Sequence, residues 1–209
     1  MNCPTVTLTP GDANWPAQLT KRLGEDAPGA LQTIGPIAFL AARRTAFFCS
    51  ARTRGDAILR AYDAARHLRD GGIAVISGFH SPIERECLRI LLRGKQPIII
   101  CPARVISGMR MSSECRAAFA AGRLLFLSPF VRSPKRVTRE SALRRNEMVA
   151  ALADDVFIAH VTPYGQTAKM AVLLGIWGVP QVAVSQVSRS KDDAIMRLRT
   201  ATPRNRSHR

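Results

Sequence analysis

Short apolar segments that do not alternate, each followed by a stretch of helical periodicity, predict an α/β protein with a Rossmann-like three-layer sandwich and a mostly parallel sheet. Two observations carry this. Segments such as Thr45–Cys49, Ile73–Ile76 and Gln96–Cys101 are continuous apolar runs, as strands covered on both faces must be. The stretches between them place apolar residues three and four apart, the spacing of a helix with one buried face. A chain of 209 residues with 46% hydrophobic content can also bury one good core.

In chain order, Met1 to Leu40 reads as a preamble in which Asp12 caps a short helix carrying Trp15, Leu19 and Leu23. Pro28, Gly29, Gly35 and Pro36 keep the backbone after it extended or turning. The first strand, Thr45–Cys49, leads into Ser50-Ala51-Arg52-Thr53-Arg54-Gly55, and a helix from about Asp56 to Asp70 turns Ile58, Leu59, Tyr62, Ala65 and Leu68 to one side. Gly71-Gly72 ends it before the strand Ile73–Ile76. Gln96–Cys101 precedes a basic loop, Arg104 to Arg110; Ser112 or Ser113 opens a helix that Gly122 stops, and Leu124–Leu127 is the next strand. In the loop Pro129 to Lys135, Phe130 stands among Arg132, Lys135 and Arg136, an arrangement that suits base stacking as well as packing. Thr138 caps a helix through Ala153, Val156–Ala159 is a strand, His160–Gln166 a glycine-bearing turn, Thr167–Leu174 a helix, and Gln181–Val184 the last strand. Ser190 and Asp193 are candidate starts of one short helix. The expected organisation is a preamble over residues 1–40 packed on the core, a Rossmann-like domain over 41–187, and a basic tail over 188–209 that stays mostly disordered.

The stretch Ile73–Leu92 is the most informative. Its strand gives way to Ser77-Gly78-Phe79-His80, and a helix opens with Ser81 as N-cap, Pro82 at the first helical position and Glu84 where a capping box needs it. In a parallel sheet such a turn lies at the carboxyl ends of the strands, with helix amides pointing toward a ligand. Ser77, Gly78, His80 and Ser81 are therefore expected to line an anion site whose amides take an oxyanion. Capping is a sufficient role for Glu84.

The formal charge of +16 and a sequence pI near 11.2 come almost entirely from arginine. Arginine meets phosphate through a planar fork of donors, so nucleic acid leads the expected partners, ahead of an anionic membrane surface. The five cysteines, Cys3, Cys49, Cys87, Cys101 and Cys115, lie far apart with no metal-ligand spacing and read as reduced core thiols. No Ser-His-Asp or Cys-His order stands out, and neither a catalytic residue, a metal nor a cofactor is assigned. The N-terminus lacks the basic and apolar regions of a leader, and no apolar run approaches the roughly 20 residues of a spanning helix. The expectation is a cytoplasmic protein with no membrane association.

Several short motifs, in order, resemble the DNA-processing protein A family (DprA or Smf), one branch of a wider Rossmann-like group that includes the LOG phosphoribohydrolases. Trp15-Pro16-Ala17-Gln18-Leu19 is similar to that family's Tyr-Pro-x-x-Leu. Ser50-Ala51-Arg52 lies where it has Gly-Ser-Arg, and Ser77 to Glu84 where it has Ser-Gly-Leu-Ala-x-Gly-Ile-Asp. Arg145-Asn146, followed by Met148 to Leu152, resembles its Arg-Asn-Arg-x-Ile-Ala-x-Leu, and Gly165-Gln166-Thr167 stands at its Ser-Gly-Ser or Ser-Gly-Thr turn. The resemblance runs from the preamble to about Val184. Pro82 replaces a glycine, Leu88 stands where the family has a histidine, and the Pro-Gly after the last strand is missing. With no winged-helix domain expected after the core, the chain reads as a divergent, core-only member.

The resemblance implies a protein that binds single-stranded DNA and assists DNA processing or recombination, with a second copy of the chain and a recombinase as further partners. It carries phosphate contact to Arg52. The phosphate-binding set expected is Arg52, Ser77, Gly78, His80, Ser81, Arg145, Asn146, Gly165 and Thr167, with bracing of the loops from below as the other role for Arg145. The alternative is a nucleotide-binding sensor or LOG-like nucleotide-processing enzyme, since Pro163-Tyr164-Gly165-Gln166-Thr167 is similar to the phosphate loop Pro-Gly-Gly-x-Gly-Thr. That loop is followed by a catalytic glutamate in the LOG enzymes, whereas Ala168-Lys169-Met170 follow here, so binding ranks above catalysis.

Overall fold

The computed structural model describes residues 4–50 and 55–182. Cys3, Arg52, the end of the strand expected over 181–184, the short helix expected near Ser190 or Asp193 and the basic tail lie outside the described residues.

One sheet organises the architecture. In chain order the described elements are β1 (Val6–Leu8), α1 (Ala17–Leu23), β2 (Leu31–Ile34), β3 (Arg44–Phe48), α2 (Gly55–Gly71), β4 (Ala74–Ser77), α3 (Pro82–Leu92), β5 (Ile98–Ile100), α4 (Ser113–Ala120), β6 (Leu124–Ser128), α5 (Arg139–Leu152), β7 (Asp155–Ile158) and α6 (Gln166–Ile176). The sheet runs β1-β2-β6-β5-β4-β3-β7. The five strands from β6 to β7 are parallel, and β2 pairs antiparallel with both β6 and β1. The preamble thus supplies two strands to the sheet itself, and Gln181 adds a parallel bridge to Val156 at the opposite edge.

Strand alternation sends side chains into two layers. Ala46, Phe48, Ile76, Ile99, Leu125 and Leu127 pack under α1, α5 and α6, while Phe47, Val75, Ile98, Ile100, Leu124 and Phe126 pack under α2, α3 and α4. Both faces are dry, which is why the strands read as unbroken apolar runs.

Two local expectations change. The buried face of α2 is Ala57, Ala61, Ala64, Ala65 and Leu68, and Leu59 is 64% exposed. Small residues let α3 come close enough for the Cys87 thiol to reach the Ala61 carbonyl at 3.6 Å; Leu59 is turned outward, and Ile58 and Tyr62 are half-buried. Asp12 does not cap α1, whose N-cap is Pro16; its carboxylate instead closes a turn by accepting from Thr9 N and Oγ1. The other starts are as read: Ser112 caps α4, and Thr138 forms a capping box with Ser141 on α5.

At the amino end of β3 lies Arg44, 4% exposed. Its Nε donates to the Leu152 carbonyl at 2.6 Å and its Nη1 to the Leu40 and Phe39 carbonyls, while its own amide donates to Asp154. Burial pulls its pKa below the ordinary arginine value and Asp154 opposes that shift. Replacing Arg44 with methionine strands these buried carbonyls, so unfolding in urea should show a loss of about 3 kcal/mol. An unchanged midpoint would show that the carbonyls have found other donors.

Candidate nucleic-acid interface

The chain winds from β3 through β4 and β5 to β6 in one direction and then places β7 on the other side of β3. Strand order reverses between β3 and β7, and a crevice opens outside the carboxyl ends of strands at such a point. A cleft of ≈ 400 Å3 lies there. Ser50 enters it after β3, His80 and Ser81 after β4, Asn146 from α5, and the turn Thr162–Gly165 after β7.

Of the residues expected from sequence, His80, Ser81, Arg145, Asn146, Gly165 and Thr167 line this one cleft. Ser77 and Gly78 lie beneath it. The Ser77 hydroxyl donates to the Phe47 carbonyl at 2.7 Å and accepts from the Phe79 amide, locking the end of β4 to β3. Arg52 lies outside the described residues.

The amides of Phe79, His80 and Ser81 are not open to an added oxyanion. Glu84 Oε2 accepts from the amides of His80 (2.9 Å) and Ser81 (3.1 Å), and Oε1 reaches across to the Cys49 amide at 3.1 Å. Ser81 Oγ in turn accepts from the Glu84 amide, which completes the capping box. The helix N-terminus does attract an anion, and Glu84 supplies it from within the chain. What the turn offers to a ligand is the exposed His80 ring and the Ser81 hydroxyl.

Arg145 is 4% exposed and runs along the floor of the cleft. Its Nη1 donates to the Cys101 carbonyl at 2.7 Å and its Nε to Asn146 Oδ1 at 2.7 Å. The guanidinium lies on Gly78, where a Cβ would come within 1.8 Å of Nη1. Burial lowers its pKa, and the nearby charge of Glu84 works against that shift. Asn146 Nδ2 passes the chain of bonds on to Gln166 Oε1. On the far wall, Ser50 Oγ donates to Thr167 Oγ1 at 3.0 Å and accepts from the Thr162 amide, tying the β3 exit to the β7 exit. The N-cap of α6, Gly165, has no side chain to satisfy the first amides of that helix.

Thr162 and Tyr164 did not stand out in the sequence as site residues. Thr162 Oγ1 is buried with no partner among the described residues, and Tyr164 is fully exposed at φ +58°. The advance signals were the turn chemistry of Pro163 and Gly165 and, for Tyr164, its place in the stretch that resembles a phosphate loop. Phe130, read as a stacking candidate, is 8% exposed and packs into the protein, so it presents no face to a base. Burial pushes the Cys101 thiol up to about 12 and the Cys87 thiol higher still, which makes both poor nucleophiles and poor ligands. Among the described residues no group of His, Cys, Asp or Glu is arranged to hold a metal, and no helix is long and apolar enough to cross a membrane.

Two substitutions measure how firmly the floor is held. Gly78→Ala drives a methyl group into a guanidinium anchored at Cys101 and Asn146, and should cost about 2–3 kcal/mol in denaturant unfolding. Glu84→Gln keeps the shape but exchanges one acceptor for a donor facing an amide, and should cost about 2 kcal/mol. Wild-type stability in either would show that the turn repacks freely.

The family model for DNA recombination-mediator protein A matches residues 6–198. Among solved structures, the X-ray structure of DNA processing protein A (DprA) from Streptococcus pneumoniae is similar with a TM-score of 0.71 at 14% identity, over 95% of this chain and 70% of that one. A structure of DNA processing protein A from Helicobacter pylori, described for its single-stranded DNA binding mode, is similar with a TM-score of 0.66 at 19% identity, over 86% of this chain and 80% of that one. No curated protein matches the chain. With the match extending over most of its length, and the sheet and helices arranged as in these structures, the chain belongs to the DNA recombination-mediator protein A family.

Proposed function

We propose that the protein binds single-stranded DNA through its phosphates at the carboxyl ends of the sheet strands, in a DNA-processing or recombination role in the cytoplasm. The observation that carries this is the distribution of unneutralised charge. On α2 and α3 three of the four exposed arginines are paired, Arg60 with Asp56, Arg66 with Asp63 and Arg89 with Glu86, and Arg85 is the exception among the described residues. Around the loops after β5 and β6, Arg104, Arg110, Arg132, Lys135, Arg136 and Arg139 take part in no ion pair among the described residues. These loops are tied together, Val105 N donating to the Pro134 carbonyl and Ser128 Oγ to the Arg104 carbonyl. They flank the same strand ends as the cleft, so an unbalanced positive field sits where the fold places its ligands. The Helicobacter pylori protein of similar fold binds this same ligand. Family membership alone supports a second copy of the chain and a recombinase as further partners.

Catalysis on a small nucleotide fits the cleft less well. Glu84 is the one carboxylate among the described residues lining it, and both its oxygens are held by backbone amides. A general acid for glycosidic cleavage must be able to present its proton to the leaving group. Incubation with nucleoside monophosphates should therefore release no free base; base release abolished by Glu84→Gln would reverse this assignment.

Affinity for labelled single-stranded oligonucleotides, set against duplex over a salt series, tests the main reading. Tighter binding to single strands with a steep salt dependence is expected. At near-physiological ionic strength, Arg52→Ala should lower affinity by about 1–3 kcal/mol, the loss of one charge-assisted contact. Removing the residues after Thr202 should chiefly slow association and flatten the salt dependence. Binding that vanishes with the tail and survives Arg52→Ala would move the DNA site away from the sheet.

A further inference from the structure

We propose that Tyr164 is a stacking platform for an unpaired nucleobase, and that it gives the cleft its preference for single strands over duplex. The inference rests on the reading of the site as a single-strand binder and assigns the residue that makes the distinction. Tyr164 is 100% exposed, whereas the other large apolar residues left outside, among those described, are aliphatic and all partly covered. Its backbone sits at φ +58°, a left-handed conformation that disfavours any side chain with a Cβ and most of all a bulky one. The turn is closed behind it by the Gly165 amide donating to the Thr162 carbonyl at 3.0 Å. The ring therefore gains no packing from the protein while its backbone is strained. Strain held at the mouth of a binding cleft is a pointer to a role outside the chain.

The surroundings indicate what the ring meets. Tyr164 borders the same cleft as Ser50, Thr167 and Arg145, and the uncapped first turn of α6 begins two residues after it. Phosphate contacts to these groups are blind to whether the strand is paired. A base can lay its face on an aromatic ring only when it is not already stacked in a duplex, and every base has such a face, so the contact selects single strands without reading sequence. Phe130 cannot do this, because it is buried.

The test uses the full chain and three variants, Tyr164→Ala, Tyr164→Phe and Tyr164→Gly. Tyr164→Ala should weaken single-strand binding roughly tenfold. Its duplex affinity and the slope of affinity against salt should stay as in the wild type, because no phosphate contact is lost. Tyr164→Phe should restore single-strand affinity. Tyr164→Gly should bind as weakly as the alanine variant and yet melt about 2 °C or more above wild type, since glycine takes this backbone conformation without strain. Binding and stability moving in opposite directions is an outcome that a structural role for the ring would not produce. If the wild type prefers single strands and Tyr164→Ala keeps that preference, stacking is overturned and the binding function stands. If the wild type binds single strands and duplex alike, the reading of the function itself fails, and the stacking role with it.

Discussion

Two buried charges hold the working end of this protein together, and they do so through backbone rather than through each other. The Glu84 carboxylate gathers the amides of Cys49, His80 and Ser81, which belong to the exits of β3 and β4. The Arg145 guanidinium, brought in by α5, lies over Gly78 and holds the Cys101 carbonyl at the exit of β5. A charge taken out of water must be met by hydrogen bonds or it destabilises the fold by several kcal/mol. Here the backbone groups that meet these charges are the same ones that would otherwise be left unpaired where strands turn into loops. Satisfying both sets at once fixes three neighbouring strand exits relative to one another.

That rigid floor changes what the cleft can use for binding. A turn at a helix N-terminus is a ready anion site, and in α3 the chain has filled it with its own carboxylate. The comparable turn at α6 is left without a side-chain cap. Of these two helix starts, the one without a side-chain cap is therefore the one at the β3–β7 switch point. The unpaired cations follow the same asymmetry: Arg60, Arg66 and Arg89 on α2 and α3 are paired with acids three or four residues away, and those around the loops after β5 and β6 take part in no ion pair among the described residues. Paired surface charges cancel at a distance, so the field that an approaching polyanion meets is set mainly by the loops.

The related structures share this architecture at 14% and 19% identity. Such distance is tolerable because a sheet dry on both faces asks mainly for apolar residues of suitable volume at each position. Tighter demands fall on a few places, such as Gly78 under the guanidinium and the alanine face of α2 against α3. These are the points where two backbones, or a backbone and a charge, come closer than an ordinary side chain permits.

The sequence by itself determined the α/β class, the order of most helices and strands, and the start of α3. Those depend on local chemistry: continuous apolar runs, helical spacing, and Ser81, Pro82 and Glu84 in capping register. It also named six residues that meet in one cleft, through short motifs that each sit at a strand exit or a helix start. Tertiary structure alone decided how β1 and β2 join the sheet, because antiparallel pairing with β6 depends on an edge built from residues far along the chain, with Gln32 facing Ser128 and Ile34 facing Phe126. It alone decided that Phe130 is buried and Tyr164 bare, since both are aromatic residues beside prolines and only their neighbours in space differ. It alone decided, too, that Glu84 serves Cys49 as well as its own helix. A carboxylate's second oxygen takes whatever donor the fold brings within reach, and nothing in the stretch around Glu84 says that the donor comes from 35 residues away.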